Sequence, residues 1–73
     1  MAYNTRNCVD RTDYPELDLI LWDRAGRYVP EEVAFAAYEK RWKFVDQKAM
    51  TPKEHYLLQR LTETFGNGLF LAA

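Results

Sequence analysis

The feature of this sequence that most constrains its fold is the segment 30–46, PEEVAFAAYEKRWKFVD. Pro30 suits a first helical position, two glutamates follow it, and basic residues crowd the far end. This order of charges is favourable at both ends of the helix dipole. At about 100° per residue, apolar side chains cover close to half of the helix circumference. We therefore predict a helix over 30–46 that packs between two other helices.

Arg41 interrupts the apolar side of this predicted helix. One interpretation is that its aliphatic stem lies along the edge of the core while the guanidinium reaches water. The other is a buried or half-buried ion pair, because buried charges are rarely left unpaired. Glu54 is then the candidate partner, since it also falls within an apolar stripe. The sequence leaves both interpretations open.

The preceding segment predicts another helix, over about 14–25. Asp13 can cap its start, Pro15 is tolerated in its first turn, and Gly26 is a natural terminator. Apolar residues recur at helical spacing at Leu17, Ile20 and Leu21. On such a helix, two further apolar residues point away from this stripe, and the C-terminal tail or another molecule must cover them. These two are Leu19 and Trp22.

A β-hairpin over 17–29 is the alternative for the same segment. Leu17, Leu19 and Leu21 also alternate with other residues, and residues 23–26 can form a turn. The alternation fails where three apolar residues run together at 20–22, and an isolated hairpin is a weak unit in a small fold. Helix is the favoured prediction, and the hairpin stays open.

The clearest helix is predicted over 52–65. Thr51 and Glu54 match a capping box, in which each side chain bonds the backbone of the other residue. Gly66 ends the helix. Four apolar residues form one stripe: Leu57, Leu58, Leu61 and Phe65. The capped start and its leucines resemble the opening of the first helix in winged-helix domains of response regulators. The resemblance is confined to this helix start, and no DNA-contacting residue is carried over from it.

The predicted fold class is therefore all-α, a compact three-helix domain. The sequence of 73 residues supports one hydrophobic core, and its 48% hydrophobic content is ordinary for a globular domain. Residues 1–12 lack an apolar period and are expected to form a flexible arm. Residues 13–73 form the single domain, with the apolar tail 69–71 docked on the bundle.

Charge and cysteine content limit the classes of function. A net charge of −1 argues against a general nucleic-acid binder or membrane-surface binder. Cys8 is the single cysteine, so no internal disulfide is expected. The sequence begins with no charged-then-apolar leader and contains no apolar run of membrane-spanning length. We expect a cytoplasmic protein.

No catalytic chemistry is evident in the motifs. Cys8 and His55 are too few for a zinc site, and the arm position of Cys8 argues against a Cys–His nucleophilic pair. The glycines at 66 and 68 follow a helix instead of opening one, unlike a phosphate-binding loop. We expect no enzyme activity, no metal and no cofactor.

The sequence instead favours a protein-interaction module, an adaptor or an inhibitor of a larger protein, with a homodimer as one form of it. Aromatic and basic residues are enriched at interface hot spots. The candidate partner-binding residues are Trp22, Phe35, Tyr38, Arg41, Trp42, Lys43, Tyr56 and Arg60. The alternative is a nucleic-acid-binding regulator that uses the second and third helices as a helix-turn-helix. Its contact residues would be Lys53, Tyr56, Gln59 and Arg60.

Overall fold

Three α-helices and one short antiparallel sheet are found in residues 7–72, the part of the chain that this computed structural model describes. In chain order they are β1 (Cys8–Asp10), α1 (Pro15–Ile20), β2 (Tyr28–Pro30), α2 (Glu31–Lys40) and α3 (Pro52–Phe65). Single 3₁₀ turns follow β1, at Arg11–Asp13, and α2, at Trp42–Phe44. The fold is mostly helical, with three helices as predicted, but the all-α prediction did not include the sheet.

The sheet joins the N-terminal segment to the start of α2. Val9 pairs with Val29 at its centre, and both side chains are buried. The flexible arm predicted over 1–12 is therefore wrong for Cys8–Asp10, and residues 1–6 lie outside the described residues. Three residues are too few to show a period of two, so this strand is recognisable only from its pairing with a segment about 20 residues away.

Helix α1 is shorter than the predicted helix over 14–25, because it ends at Ile20. Its cap position is Tyr14, which makes no side-chain capping bond, so the predicted cap Asp13 is wrong. The chain then turns and enters β2, which pairs with β1 and not with 17–21. The hairpin alternative was thus right about a strand after the turn and wrong about the partner of that strand.

Helix α2 also ends early, at Lys40 instead of at residue 46. The chain continues as the 3₁₀ turn, and the backbone N–H of Asp46 donates to the Glu16 carboxylate at 2.8 Å. A bond from α1 therefore redirects the segment that local pattern would continue as helix. Helix α3 is confirmed at its predicted bounds, and Thr51 Oγ accepts the Glu54 N–H at 3.2 Å as a cap. The other half of the predicted capping box is wrong, because the Glu54 carboxylate accepts from the Glu16 and Leu17 N–H groups of α1 instead.

The core lies where α1, α2, α3 and the sheet meet. Its largest fully buried side chains are Tyr38, Leu17, Ile20, Leu57, Leu61, Glu54 and Val29. Of the apolar tail, Phe70 is half-buried, with its ring centroid 4.9 Å from that of Trp42 and 6.1 Å from that of Phe35. Leu69 and Leu71 are exposed. The tail therefore contacts Phe35 and Trp42 through the Phe70 ring, and its Leu71 N–H donates to the Glu39 carboxylate at 2.9 Å.

Candidate partner-binding surface

Burial removes two of the eight predicted contact residues from the surface. Tyr38 is 0% exposed and Phe35 is 6% exposed, so neither side chain can contact a partner, and both predictions are wrong. The reason is that α2 packs on both α1 and α3, while Phe65 and Phe70 lie against Phe35. The apolar side of α2 is therefore buried mostly within this chain.

Trp22 and Phe44 form an exposed aromatic pair, called here the Trp22–Phe44 pair. Their ring centroids are 5.4 Å apart at 90°, and the residues are 59% and 55% exposed. Trp22 was predicted as a contact residue, whereas Phe44 was not. On a continuous helix over 30–46 Phe44 would face inward, but the end of α2 at Lys40 places it on the surface.

Arg41 lies against the Trp22 ring of this pair. Its two terminal nitrogens donate to the two carboxylate oxygens of Asp23, each at 2.8 Å, and one also donates to the Ile20 carbonyl at 2.8 Å. The guanidinium carbon lies 4.1 Å from the centroid of the Trp22 ring, a cation–π contact. Arg41 is thus ion-paired, as one of the two interpretations held, but its partner is Asp23 and not Glu54.

The bond to Arg41 also sets the ionisation of Asp23. The side-chain hydrogen bond from Arg41 is the largest cause that lowers the pKa of Asp23 to about 2. The same bond raises the pKa of Arg41. Both groups therefore stay charged at neutral pH, and the bidentate geometry fixes the guanidinium plane under Trp22.

Arg11 fixes the loop that carries Trp22. Its guanidinium donates to the Asp18 carboxylate at 2.6 Å, and it reaches the backbone carbonyls of Asp18, Leu21 and Arg24 at 3.0, 2.9 and 2.6 Å. The planar fork of arginine can satisfy several acceptors at once. Arg11 was not singled out from the sequence, because its acceptors are mostly backbone carbonyls, which leave no residue pattern.

A groove lies next to the Trp22–Phe44 pair, between the segment after α1 and the exposed side of α2. It has a volume of about 280 Å³. Its apolar lining consists of Leu21, Val33, Ala36 and Ala37, and its charged lining of Asp23, Arg24, Lys40 and Arg41. Asp23 is already bonded to Arg41. No carboxylate among residues 7–72 lies within ion-pair distance of Arg24 or Lys40.

The remaining predicted residues are distributed around this surface and α3. Lys43 lies near it, with its ammonium 5.2 Å from the centroid of the Phe44 ring. Trp42 is half-buried, 6.5 Å from Tyr38 between ring centroids. Tyr56 and Arg60 are on α3, where Tyr56 is 68% exposed and Arg60 pairs with Glu31.

The helix-turn-helix alternative depends on the cations of α3. Arg60 is bonded to Glu31, and Lys53 lies 3.4 Å from the Asp13 carboxylate. Both cations are therefore partly neutralised by this chain, which weakens their attraction for phosphate. The nucleic-acid hypothesis stays a prediction without support from this arrangement.

Two features are absent from residues 7–72. No group of three or more His, Cys, Asp or Glu side chains in that range is placed to hold a metal ion. No helix there is long and apolar enough to cross a membrane. Comparisons of the chain with protein-family models, with curated proteins and with solved structures found no match.

Proposed function

We propose that this protein is a small protein-interaction module, of the adaptor or inhibitor type, that contacts its partner through the Trp22–Phe44 pair. The observation that carries the proposal is that two large aromatic side chains are more than half exposed and yet pack against each other, with the Arg41 guanidinium against Trp22. The C-terminal tail, up to residue 72, leaves both rings uncovered.

Rigidity is what makes such a pair suitable for binding. Trp and Arg are enriched among the few residues that supply most of the energy of an interface. Ordering a mobile side chain on binding costs about 0.5–1.5 kcal/mol, and a side chain that is already fixed avoids most of that cost. Here Asp23 fixes Arg41, which in turn lies against Trp22.

The partner is a second protein or a second copy of this chain. A two-fold dimer would bury the same aromatic pair from both copies. The single cysteine supports a reducing, cytoplasmic setting. The proposal includes no catalytic step, since the buried carboxylates of Glu16 and Glu54 accept bonds from this chain's own backbone.

A selection from a random peptide library displayed on phage, with the full chain as bait, tests the proposal. Peptides selected on the wild-type protein should bind Trp22→Ala at least tenfold more weakly, because truncation of a hot-spot aromatic costs about 2 kcal/mol. Phe44→Ala should weaken binding similarly. Tyr56→Ala is the matched control, since Tyr56 is an equally exposed aromatic on α3 and should leave affinity unchanged.

Self-association is measured in parallel by light scattering and sedimentation velocity. A dimer that dissociates in Trp22→Ala and persists in Tyr56→Ala identifies the partner as a second copy. Selected peptides whose affinity is the same for the wild type, Trp22→Ala and Phe44→Ala would refute the proposal, provided that circular dichroism shows the variants folded.

A further inference from the structure

We infer that the groove beside the Trp22–Phe44 pair binds an acidic segment of a partner protein, which inserts one apolar side chain between the loop after α1 and helix α2. This inference rests on the proposed function and names the chemistry of the partner. It also assigns separate roles to the groove, which selects the segment, and to the aromatic pair, which anchors it.

The shape and lining of the groove argue for the apolar side chain. Its volume of about 280 Å³ is just below the range typical of small-ligand pockets. The floor is aliphatic, from Leu21, Val33, Ala36 and Ala37. The alanines on α2 allow a ligand to approach the helix backbone closely. A single Leu-sized side chain is the group that such a recess accommodates.

The charges around the groove argue for acidic neighbours of that side chain. Arg24 and Lys40 line it without a carboxylate of the described chain in ion-pair distance, and Lys43 lies beyond the aromatic pair. Asp23 is the one acid in the lining, and both of its oxygens are bonded to Arg41. The lining has three cations, Arg24, Lys40 and Arg41, and one acid, whereas the chain as a whole carries −1. The excess of positive charge is therefore local to this surface. A complementary acidic segment is steered to it and held in register.

The same surface suits a protein segment better than a nucleic acid. Single-stranded nucleic acids are bound by aromatic faces on which bases stack, along a continuous basic track. One face of the Trp22 ring already meets the Arg41 guanidinium, and the groove floor has no aromatic side chain. An aliphatic groove flanked by cations is complementary to a peptide in which an apolar residue is followed by Asp or Glu.

The peptide selection on the full chain provides the test. The enriched peptides should share an apolar residue with Asp or Glu within a few positions. Lys40→Glu and Arg24→Glu should each weaken their binding at least tenfold, and replacing the peptide's acids with Lys should restore binding to Lys40→Glu. Lys48→Glu is the charge-matched control, because Lys48 is exposed and does not line the groove. Ala36→Gln, which fills the groove without a charge change, should also weaken binding.

Three results would overturn the inference. The first is a selection that yields no binder, or binders without an acidic bias. The second is peptides that lose affinity for Trp22→Ala but not for Lys40→Glu or Ala36→Gln; in that case the proposed function stands and the groove assignment fails. The third is a single-stranded oligonucleotide that binds with a steep salt dependence which Lys40→Glu abolishes. Acidic peptides that bind the groove but ignore Trp22 and Phe44 would support the groove and refute the proposed function.

Discussion

The substitution Glu54→Gln gives the sharpest test of which interactions stabilise this fold. Glu54 is fully buried, and its carboxylate accepts three hydrogen bonds. Two come from the backbone N–H groups of Glu16 at 3.2 Å and Leu17 at 2.8 Å, and the third from the Tyr38 hydroxyl at 2.7 Å. Glu16 and Leu17 belong to the first turn of α1, whose N–H groups have no partner within the helix. A side chain of α3 therefore acts as the cap of α1.

The magnitude follows from the replacement of one oxygen by an amide NH₂. In either orientation of the new side chain, the NH₂ faces one of the two backbone N–H groups, so that two donors oppose each other. A hydrogen bond to a charged group contributes about 1.5–3 kcal/mol, and a buried donor left unpaired costs about 1–3 kcal/mol. The favourable interaction of the negative charge with the N-terminus of α1 is lost as well. We expect Glu54→Gln to lower the free energy of unfolding by about 2–4 kcal/mol.

Urea and thermal unfolding followed by circular dichroism measure this change. For a domain of this size the total stability is roughly 4–11 kcal/mol, and 3 kcal/mol corresponds to a drop in Tm of about 12–24 °C. Glu63→Gln on the exposed side of α3 is the control, with an expected change within about 0.5 kcal/mol. A loss below about 1 kcal/mol for Glu54→Gln would refute the interpretation of Glu54 as the cap of α1.

Three other predictions concern the loop, the tail and the surface ion pair. Arg11→Lys should lower the free energy of unfolding by about 2 kcal/mol or more, because one ammonium cannot satisfy several backbone carbonyls at once. Gly66→Ala should cost about 1–3 kcal/mol, since a Cβ there would lie 2.2 Å from the backbone oxygen of Leu69. The pKa of Asp23 is about 2 in the folded chain, below the ordinary value of 3.8. Its bond to Arg41 should therefore add stability that is fully present above about pH 4 and is lost as the pH falls toward 2.

Each of these has a direct check. Arg11→Lys and Gly66→Ala are compared with the wild type by urea unfolding. Gly68→Ala is the control for Gly66→Ala: a Cβ at Gly68 meets nothing within 4 Å, so a loss of stability there comes from the positive φ of +84° and not from a steric clash. An Arg11→Lys variant as stable as the wild type would show that Arg11 does not hold the loop. The wild type should lose its stability advantage over Asp23→Asn between pH 4 and pH 2, and a constant difference across that window would contradict the linkage.

The local pattern of the sequence was sufficient for some parts of the fold. Helix α3 was predicted at its observed bounds, because Thr51 and Gly66 are start and stop signals that act through neighbouring backbone groups. The mismatch of Arg41 with its apolar surroundings marked it as unusual, but the sequence left an ion pair and a solvent-reaching guanidinium both open and suggested Glu54, not Asp23, as the partner. Trp22 was singled out because, on the predicted helix, it points away from the stripe of Leu17, Ile20 and Leu21; whether the tail covers it was left open, and it is exposed in the structure.

Only the tertiary structure decided where α1 and α2 end, which segment pairs with Cys8–Asp10, and which aromatics reach the surface. Glu54 binds α1 across 37 and 38 positions of sequence, Glu16 holds Asp46 across 30, and Arg41 finds Asp23 across 18. Bonds of this kind depend on which side chains and backbone groups meet in space, and helical periodicity carries no information about that. Helix α2 ends at Lys40, and Phe44 lies on the surface beside Trp22, whereas a helix continued to residue 46 would turn Phe44 toward the core.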